Sequence, residues 1–318
     1  MDDRRVPTDL AALPKAEVHV HLEGTIRPAT LDELCRRKGS TVPRTFHDLN
    51  GFIHAISAAW TTMMHAGDYG RLVREYCEDA ARSGIRYAEL ELVPGGRPYD
   101  CLGEAVEAAS RQRDVVVRFV AGLNRDLPLE LAWMMLEAAR GVPEVVAVGL
   151  GGVENGFPPE PFAPLFAEAR RRGLRSAPHA GEDAGARSVR GALTALGAER
   201  IQHGVRSIED PALVNELAVR GIPLAMCPTS NLRLGVVPSL DDHPLRELWA
   251  SGVRVSVNTD DPGFFGCDLV GEYAIAGRLL GLDRAGYARL ALNSVESSFA
   301  PDAVKAELRG AIAEWLEG

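Results

Sequence analysis

Eight short β-branched runs recur through the 318 residues, most of them preceded by an amphipathic stretch that ends at a glycine. They are Glu17–Leu22, Ile85–Leu92, Val115–Ala121, Val145–Leu150, Leu174–His179, Arg200–His203, Ile222–Met226 and Val253–Asn258. Gly173, Gly221 and Gly252 stand just before a β run, where a helix-terminating left-handed glycine belongs. Eight strands with helices between them imply an α/β chain closed as a (β/α)8 TIM barrel rather than an open sheet. The length is that of one such barrel with insertions, so residues 1–318 are expected to form a single domain. Pro28–Gly84 is too long for one βα unit and reads as extra helices inserted after strand 1, over the end of the barrel where active sites lie.

Charge and cysteines exclude several classes. With 35 basic against 44 acidic residues the net charge is -9. An electrostatic hold on nucleic acid or on an anionic membrane is therefore not expected, and a small-molecule partner is. Cys35, Cys77, Cys101, Cys227 and Cys267 are odd in number and scattered, without a C-x-x-C pair, which argues against a disulfide framework and a thiolate metal site. The amino-terminal stretch has no apolar core of a signal segment, so the expected location is cytoplasmic.

A barrel collects its chemistry at the carboxyl ends of its strands. The first run ends in His19-Val20-His21, two imidazoles on one face of a strand. The fifth run ends at His179, the sixth at His203 and the eighth just before Asp260-Asp261. Each has an ordinary reading taken singly: His203 as a hydrogen-bonded structural residue, the H-x-H pair as a satisfied polar pair, Asp260-Asp261 before Pro262 as a turn. Their common register at one end of the barrel points to a site. His47, His54, His65 and His243 lack that placement and read as surface or packing residues, His47 and His54 within the inserted helices.

Three histidines and a carboxylate suit a divalent transition metal, zinc by default, one per chain. A bridging lysine on the fourth strand, usual in two-metal hydrolases, is missing from Val145–Leu150. Water on the metal would ionise near neutral pH and serve as the nucleophile. Glu182, three residues past His179, reads either as an acid held in a partly dry pocket or as a first-turn helix glutamate favoured by the dipole.

The blocks LPKAEVHVHLEGTIRP, SAPHAGED, RIQHGV, CPTSNLRLG and HPLRELWASGVRVSVNTDDPGFFG, with Glu272-Tyr273 beyond them, resemble the adenosine and adenine deaminase family of zinc aminohydrolases. The resemblance runs from about Leu13 to Ser298. It implies hydrolytic removal of the 6-amino group of a purine. By motif, His19, His21, His179 and Asp260 would hold zinc, and Glu182 would protonate ring N1. His203 would orient or deprotonate the attacking water, and Asp261 would hydrogen-bond N7. His21, Glu23, Gly152 and Asp261 would face the substrate, and Glu182, His203 and Asp260 would be the catalytic groups.

Members of that family act on adenosine, adenine or 5′-modified adenine nucleosides. Glu23 stands where adenosine deaminases carry an aspartate toward the 5′-oxygen, which argues against plain adenosine. Gly152 matches nucleoside deaminases near purine N3, while Glu154-Asn155-Gly156-Phe157-Pro158-Pro159 resembles the adenine deaminase ending. The mosaic suits a nucleoside altered at C5′, such as 6-amino-6-deoxyfutalosine of a menaquinone route, with free adenine as the alternative substrate. Phe52, Ile56, Trp60, Met63 and Met64, at helical spacing, read first as a packing stripe and second as an apolar wall over a 5′-substituent. The cytidine-deaminase signature of H-x-E with P-C-x-x-C is absent. A metal-stabilised, non-catalytic binding protein would have been free to lose Glu182, His203 or Asp261, and all three are present.

Overall fold

The structure, a computed structural model, describes residues 7, 9–93 and 100–318. Its strands are β1 Lys15–His21, β2 Ile85–Leu92, β3 Val116–Asn124, β4 Val145–Gly151, β5 Arg175–Ser176, β6 His179–Ala180, β7 Ile201–His203, β8 Leu224–Met226 and β9 Val255–Val257. All pair in parallel, β1 through β5 in one run and β6 through β9 in another. The expected fifth strand, Leu174–His179, is thus two short pieces. Proline lacks the N–H a ladder needs, and Pro178 sits between them. Hydrogen bonding nevertheless runs on through the break: Ala177 N–H donates to Val148 O at 3.0 Å and Gln202 N–H to Pro178 O at 3.0 Å. The two pieces are one stave of an eight-stave barrel, as the spacing of the runs predicts.

The seam between the last stave and the first is closed by residue 260. His21 N–H donates to Asp260 O at 2.8 Å and Asp260 N–H to His19 O at 3.1 Å. Below it Val18 N–H donates to the Asn258 side chain at 2.9 Å. A bulge in β1 sets the aim of its histidines: Glu17 to Val20 spans the same stretch as Ala88 to Leu90 of β2, three steps against two. Glu17 can therefore meet the Tyr76 hydroxyl at 2.6 Å while His21 lines the cavity at the barrel mouth, with the His19 ring 5.7 Å from it, centre to centre.

Fourteen helices are described: α1 Pro28–Lys38, α2 Leu49–Trp60, α3 Asp68–Arg82, α4 Cys101–Ser110, α5 Leu129–Ala138, α6 Ala163–Arg171, α7 Ala186–Ala195, α8 Pro211–Arg220, α9 Pro228–Arg233, α10 Leu245–Ala250, α11 Pro262–Phe265, α12 Leu269–Leu280, α13 Arg284–Ser297 and α14 Asp302–Glu317. Several start where an aspartate side chain accepts a first-turn N–H, as Asp48, Asp100, Asp268 and Asp283 do. Gly173, Gly221 and Gly252 are left-handed, as expected. Pro28–Gly84 forms three helices, α1 to α3, joined by loops: α3 packs on β2, and α2 lies across the barrel mouth. None of the described helices is long and apolar enough to cross a membrane. All five cysteines are free thiols.

One ion pair lies wholly inside. Arg200, just before β7, meets Glu89 of β2 at 2.7 Å with both side chains fully buried. Tyr87 donates to Glu89, and the Arg200 guanidinium stacks over Phe299 at 4.4 Å. Removing one partner of a buried pair leaves an uncompensated charge. Arg200→Met should therefore lower unfolding free energy by about 3–5 kcal/mol in urea titration, and a loss within experimental error would mean that Glu89 takes up a proton at little cost.

Candidate active site

Strand ends bring ligand atoms of His19, His179, His203 and Asp260 within 4.8 Å of one another, a group able to hold a metal ion, and set His21 against His179 and Asp260. His19 Nε2 lies 3.1 Å and His21 Nε2 3.2 Å from His179 Nε2. Asp260 Oδ1 lies 3.5 Å from His19 Nε2 and 3.3 Å from His21 Nε2. Imidazole nitrogens this close without a proton between every pair repel unless a cation sits among them, so the set fits a divalent metal. The groups behind each donor fix its state. His19 Nδ1 meets Ala225 O at 2.9 Å, and a carbonyl only accepts, so the proton is on Nδ1 and Nε2 carries a lone pair. Ser230 donates to Asp260 Oδ2 at 2.6 Å, leaving Oδ1 toward the imidazoles.

His203 stands at the edge of this cluster, with Nε2 3.4 Å from Glu182 Oε1 and 3.9 Å from Asp260 Oδ2. Its tautomer is set by a chain of partners that begins at a backbone group. Leu245 N–H donates to His243 Nδ1 at 3.1 Å, so the His243 proton is on Nε2, and burial, which holds its pKa at about 4, keeps the ring neutral. That proton meets Asn231 Oδ1 at 3.1 Å, which turns the Asn231 amide toward His203 Nδ1 at 3.3 Å. His203 therefore accepts at Nδ1 and presents N–H at Nε2, toward the cavity. Burial also lowers its pKa, against the pull of Asp260. A neutral ring in this tautomer is a donor to an oxygen in the cavity rather than a base.

Glu182 is buried beside the cluster. Burial first, then the charges of Asp260 and Glu154, push its pKa well above the usual carboxylate range. Asp261 is pushed up likewise, by burial and by Asp260. Burial thus favours the protonated form of both carboxyls. Asp260 goes the other way: burial would raise it, but hydrogen bonding to His21 and the neighbouring imidazoles hold it well below the usual range.

The cavity above these groups runs between Gly151–Gly152 and one face of α2. Gly152 has φ +91, and a Cβ there would stand 2.1 Å from Asp126 Oδ1, so a serine at this place would collide with Asp126. Glu23 is buried, and its Oε1 accepts from the Tyr69 hydroxyl at 2.8 Å. Of the apolar stripe, Phe52, Ile56 and Trp60 line the cavity, whereas Met63 is buried away from it and Met64 is exposed. The first reading of that stripe as packing alone is corrected for these three: the loop after β1 brings α2 over the mouth.

His47, His54 and His65 are exposed, His47 lying just before α2 rather than within it. His243 is the correction among the four, being a buried support of His203. Sequence reading also passed over Asn231 and Ser230 of CPTSN, Arg125, whose guanidinium holds the His179 carbonyl at 2.5 Å, and Glu91. Glu91, raised by burial to about 7, fills space that a Cβ on Gly149 would enter at 2.5 Å from its Oε1. The alternation in AELEL could have marked Glu91, and the block CPTSNLRLG carried Ser230 and Asn231 without a role; nothing local marks Arg125.

Fold and donor set together define a metal-dependent barrel hydrolase. The adenosine deaminase family model matches residues 14–315. The chain is 41% identical to aminodeoxyfutalosine deaminase of Streptomyces avermitilis over 334 residues, 96% of this chain and 93% of that protein. The crystal structure of adenine deaminase from Arthrobacter aurescens superposes with a TM-score of 0.92 at 34% identity, covering 96% of this chain and all of that one. A zinc-bound amidohydrolase from Burkholderia ambifaria gives a TM-score of 0.87 at 26% identity, over 98% of this chain and 94% of that one. The chain belongs to the adenosine deaminase family and is a hydrolytic deaminase of adenine derivatives.

The polarity of the His243–Asn231–His203 chain can be reversed by one atom. Asn231→Asp would accept from His203 Nδ1 and turn Nε2 into an acceptor. Turnover should then fall by at least about 10²-fold, as wrong-tautomer histidines do, with bound metal retained. The ¹⁵N shifts of His203 would report the tautomer directly, and an Nδ1–H form in the unaltered protein would refute the assignment.

Proposed function

We propose that the chain removes the 6-amino group from an adenine nucleoside altered at C5′, of which 6-amino-6-deoxyfutalosine is an example, by zinc-dependent hydrolysis. The observation that carries the substrate reading is the wall of Phe52, Ile56 and Trp60 on α2, facing the cavity opposite Gly151–Gly152. Glu23 supports it: the methylene it has beyond an aspartate lets its carboxylate reach the Tyr69 hydroxyl. That takes polar capacity from a bare 5′-hydroxyl and leaves apolar surface for a larger group.

His19, His21, His179 and Asp260 would hold the metal, which when bound supplies the Lewis acidity that makes hydroxide available at neutral pH. Glu182 carries the proton that N1 must receive, and protonated N1 draws electron density from C6. The His203 Nε2–H donates to the attacking oxygen and orients it. Purine N7 can only accept a hydrogen bond, so its partner must hold a proton, and burial beside Asp260 pushes the Asp261 pKa in that direction. Hydroxide adds at C6 as N1 takes the Glu182 proton; the added hydroxyl then gives its proton to the leaving nitrogen as the C6–N bond breaks, giving the 6-oxo purine and ammonia.

Free adenine is the second reading, supported by the Glu154–Pro159 stretch and by the likeness to the Arthrobacter enzyme. A substrate panel separates the two. Methylthioadenosine and aminodeoxyfutalosine should exceed adenosine and 5′-deoxyadenosine in kcat/KM by about tenfold, the effect of burying two methyl-sized groups at about 0.8 kcal/mol each. Adenine as the best substrate would overturn the nucleoside reading. The metal assignment has its own test in His179→Ala, which should lose both bound zinc and activity; full zinc retention, or two zinc ions per unaltered chain, would exclude the four-residue site.

A further inference from the structure

Glu154 lies after β4, outside the set of groups that would touch substrate or metal, yet it is only 4% exposed. Its Oε1 accepts from Gly181 N–H at 2.7 Å, and its Oε2 from Glu182, Asp183 and Ala184 N–H at 3.0, 2.9 and 2.9 Å. Four successive backbone N–H groups converging on one carboxylate form a nest that would otherwise bind an anion from solution. Gly181 makes the bend possible. It has φ +72, and a Cβ there would stand 2.6 Å from Val189 Cγ2. Asn155 adds a second grip on the same turn, its Nδ2 donating to Asp183 O at 3.2 Å.

We infer that Glu154 is the positioning residue for Glu182, fixing through these four hydrogen bonds the turn that aims the Glu182 carboxyl into the cavity. Glu182 is the second of the four donors, so the backbone of the proton donor is itself one of the bound groups. The loop that carries Glu154 begins with Gly151 and Gly152, which line the cavity wall. Purine seating and proton delivery are therefore joined through one short segment, and a shift of the wall would be passed to Glu182. A rigid carboxylate-to-backbone link of this kind suits a donor whose displacement by about 1 Å can cost about 10²-fold in rate.

This inference rests on the reading of Glu182 as the proton donor, and a double-mutant cycle separates the two. Glu154→Gln keeps the shape but replaces one acceptor oxygen by an NH₂ that faces N–H groups. It should lower kcat by about 10²-fold while KM and zinc content stay close to those of the unaltered enzyme. Combined with Glu182→Gln it should cost little further, because the group it positions is already disabled. Additive losses in the double variant would overturn the positioning role and leave the donor reading intact. Near-normal turnover of Glu182→Gln alone would remove the donor reading, and this inference with it. If Glu154→Gln does not fold, the same cycle on Glu154→Asp, which keeps the charge but shortens the reach by a methylene, carries the same expectation of non-additivity.

Discussion

The backbone of Asp260 is bonded to β1 through both its N–H and its carbonyl, and this one junction both closes the barrel and assembles the candidate metal-binding side chains. A closed sheet needs its last stave to meet its first, but β9 is only three residues long and ends at Val257. The seam is completed past its end by the Asn258 side chain and by residue 260 itself. His19, His21 and Asp260 are thus placed by the bonds that close the ring, and their spacing is no more variable than a β-ladder. His179, a further candidate ligand, arrives on the stave that Pro178 interrupts, and the Arg125 guanidinium on its carbonyl steadies it where the ladder is weakest.

Backbone strain collects at the same place. Among the described residues the non-glycine positions with positive φ are His203 at 63° and Asp260 at 64°. Each costs on the order of 1–3 kcal/mol and persists only where its surroundings over-determine it. For Asp260 the surroundings are the two bonds to β1 and the Ser230 hydroxyl. For His203 they are the Asn231 amide and the pairing of the adjacent Ala180 with β7. The turn out of each strand is sharpened so that the last side chain points across the mouth instead of up along the stave.

The barrel was legible because its signals are local: β-branched runs, most of them preceded by a helix-ending glycine, recur along the chain, and both report on a few residues at a time. The candidate site was legible because a barrel turns strand ends into neighbours, so His19, His21, His179, His203 and Asp260 could be placed together before any contact was known. What stayed hidden are contacts made across the fold. His243 lies on a loop forty residues from His203, and only the folded chain brings Asn231 between them. Leu174–His179 looks like one strand in sequence because proline's missing N–H matters only when a partner carbonyl stands opposite. The stripe on α2 could not be divided between packing and cavity, since helical spacing records which side is apolar and not what faces it.

Backbone groups decide the polarity of this site. A peptide N–H only donates and a carbonyl only accepts, whereas imidazoles and amides can do either, so a reactive side chain gains a defined state when its partner chain ends on the backbone. His19 is fixed by the Ala225 carbonyl, His203 through Asn231 and His243 by the Leu245 N–H, and Glu154 by the four N–H groups of the turn it holds. Each such chain crosses from one βα unit to another. The fold therefore supplies more than positions: it writes lone pair or proton onto each facing atom, with His19 made an acceptor and His203 a donor although both are neutral histidines less than 5 Å apart, ring centre to ring centre at 4.5 Å. Two identical side chains in contact take opposite roles because the barrel presents them to opposite ends of the peptide group.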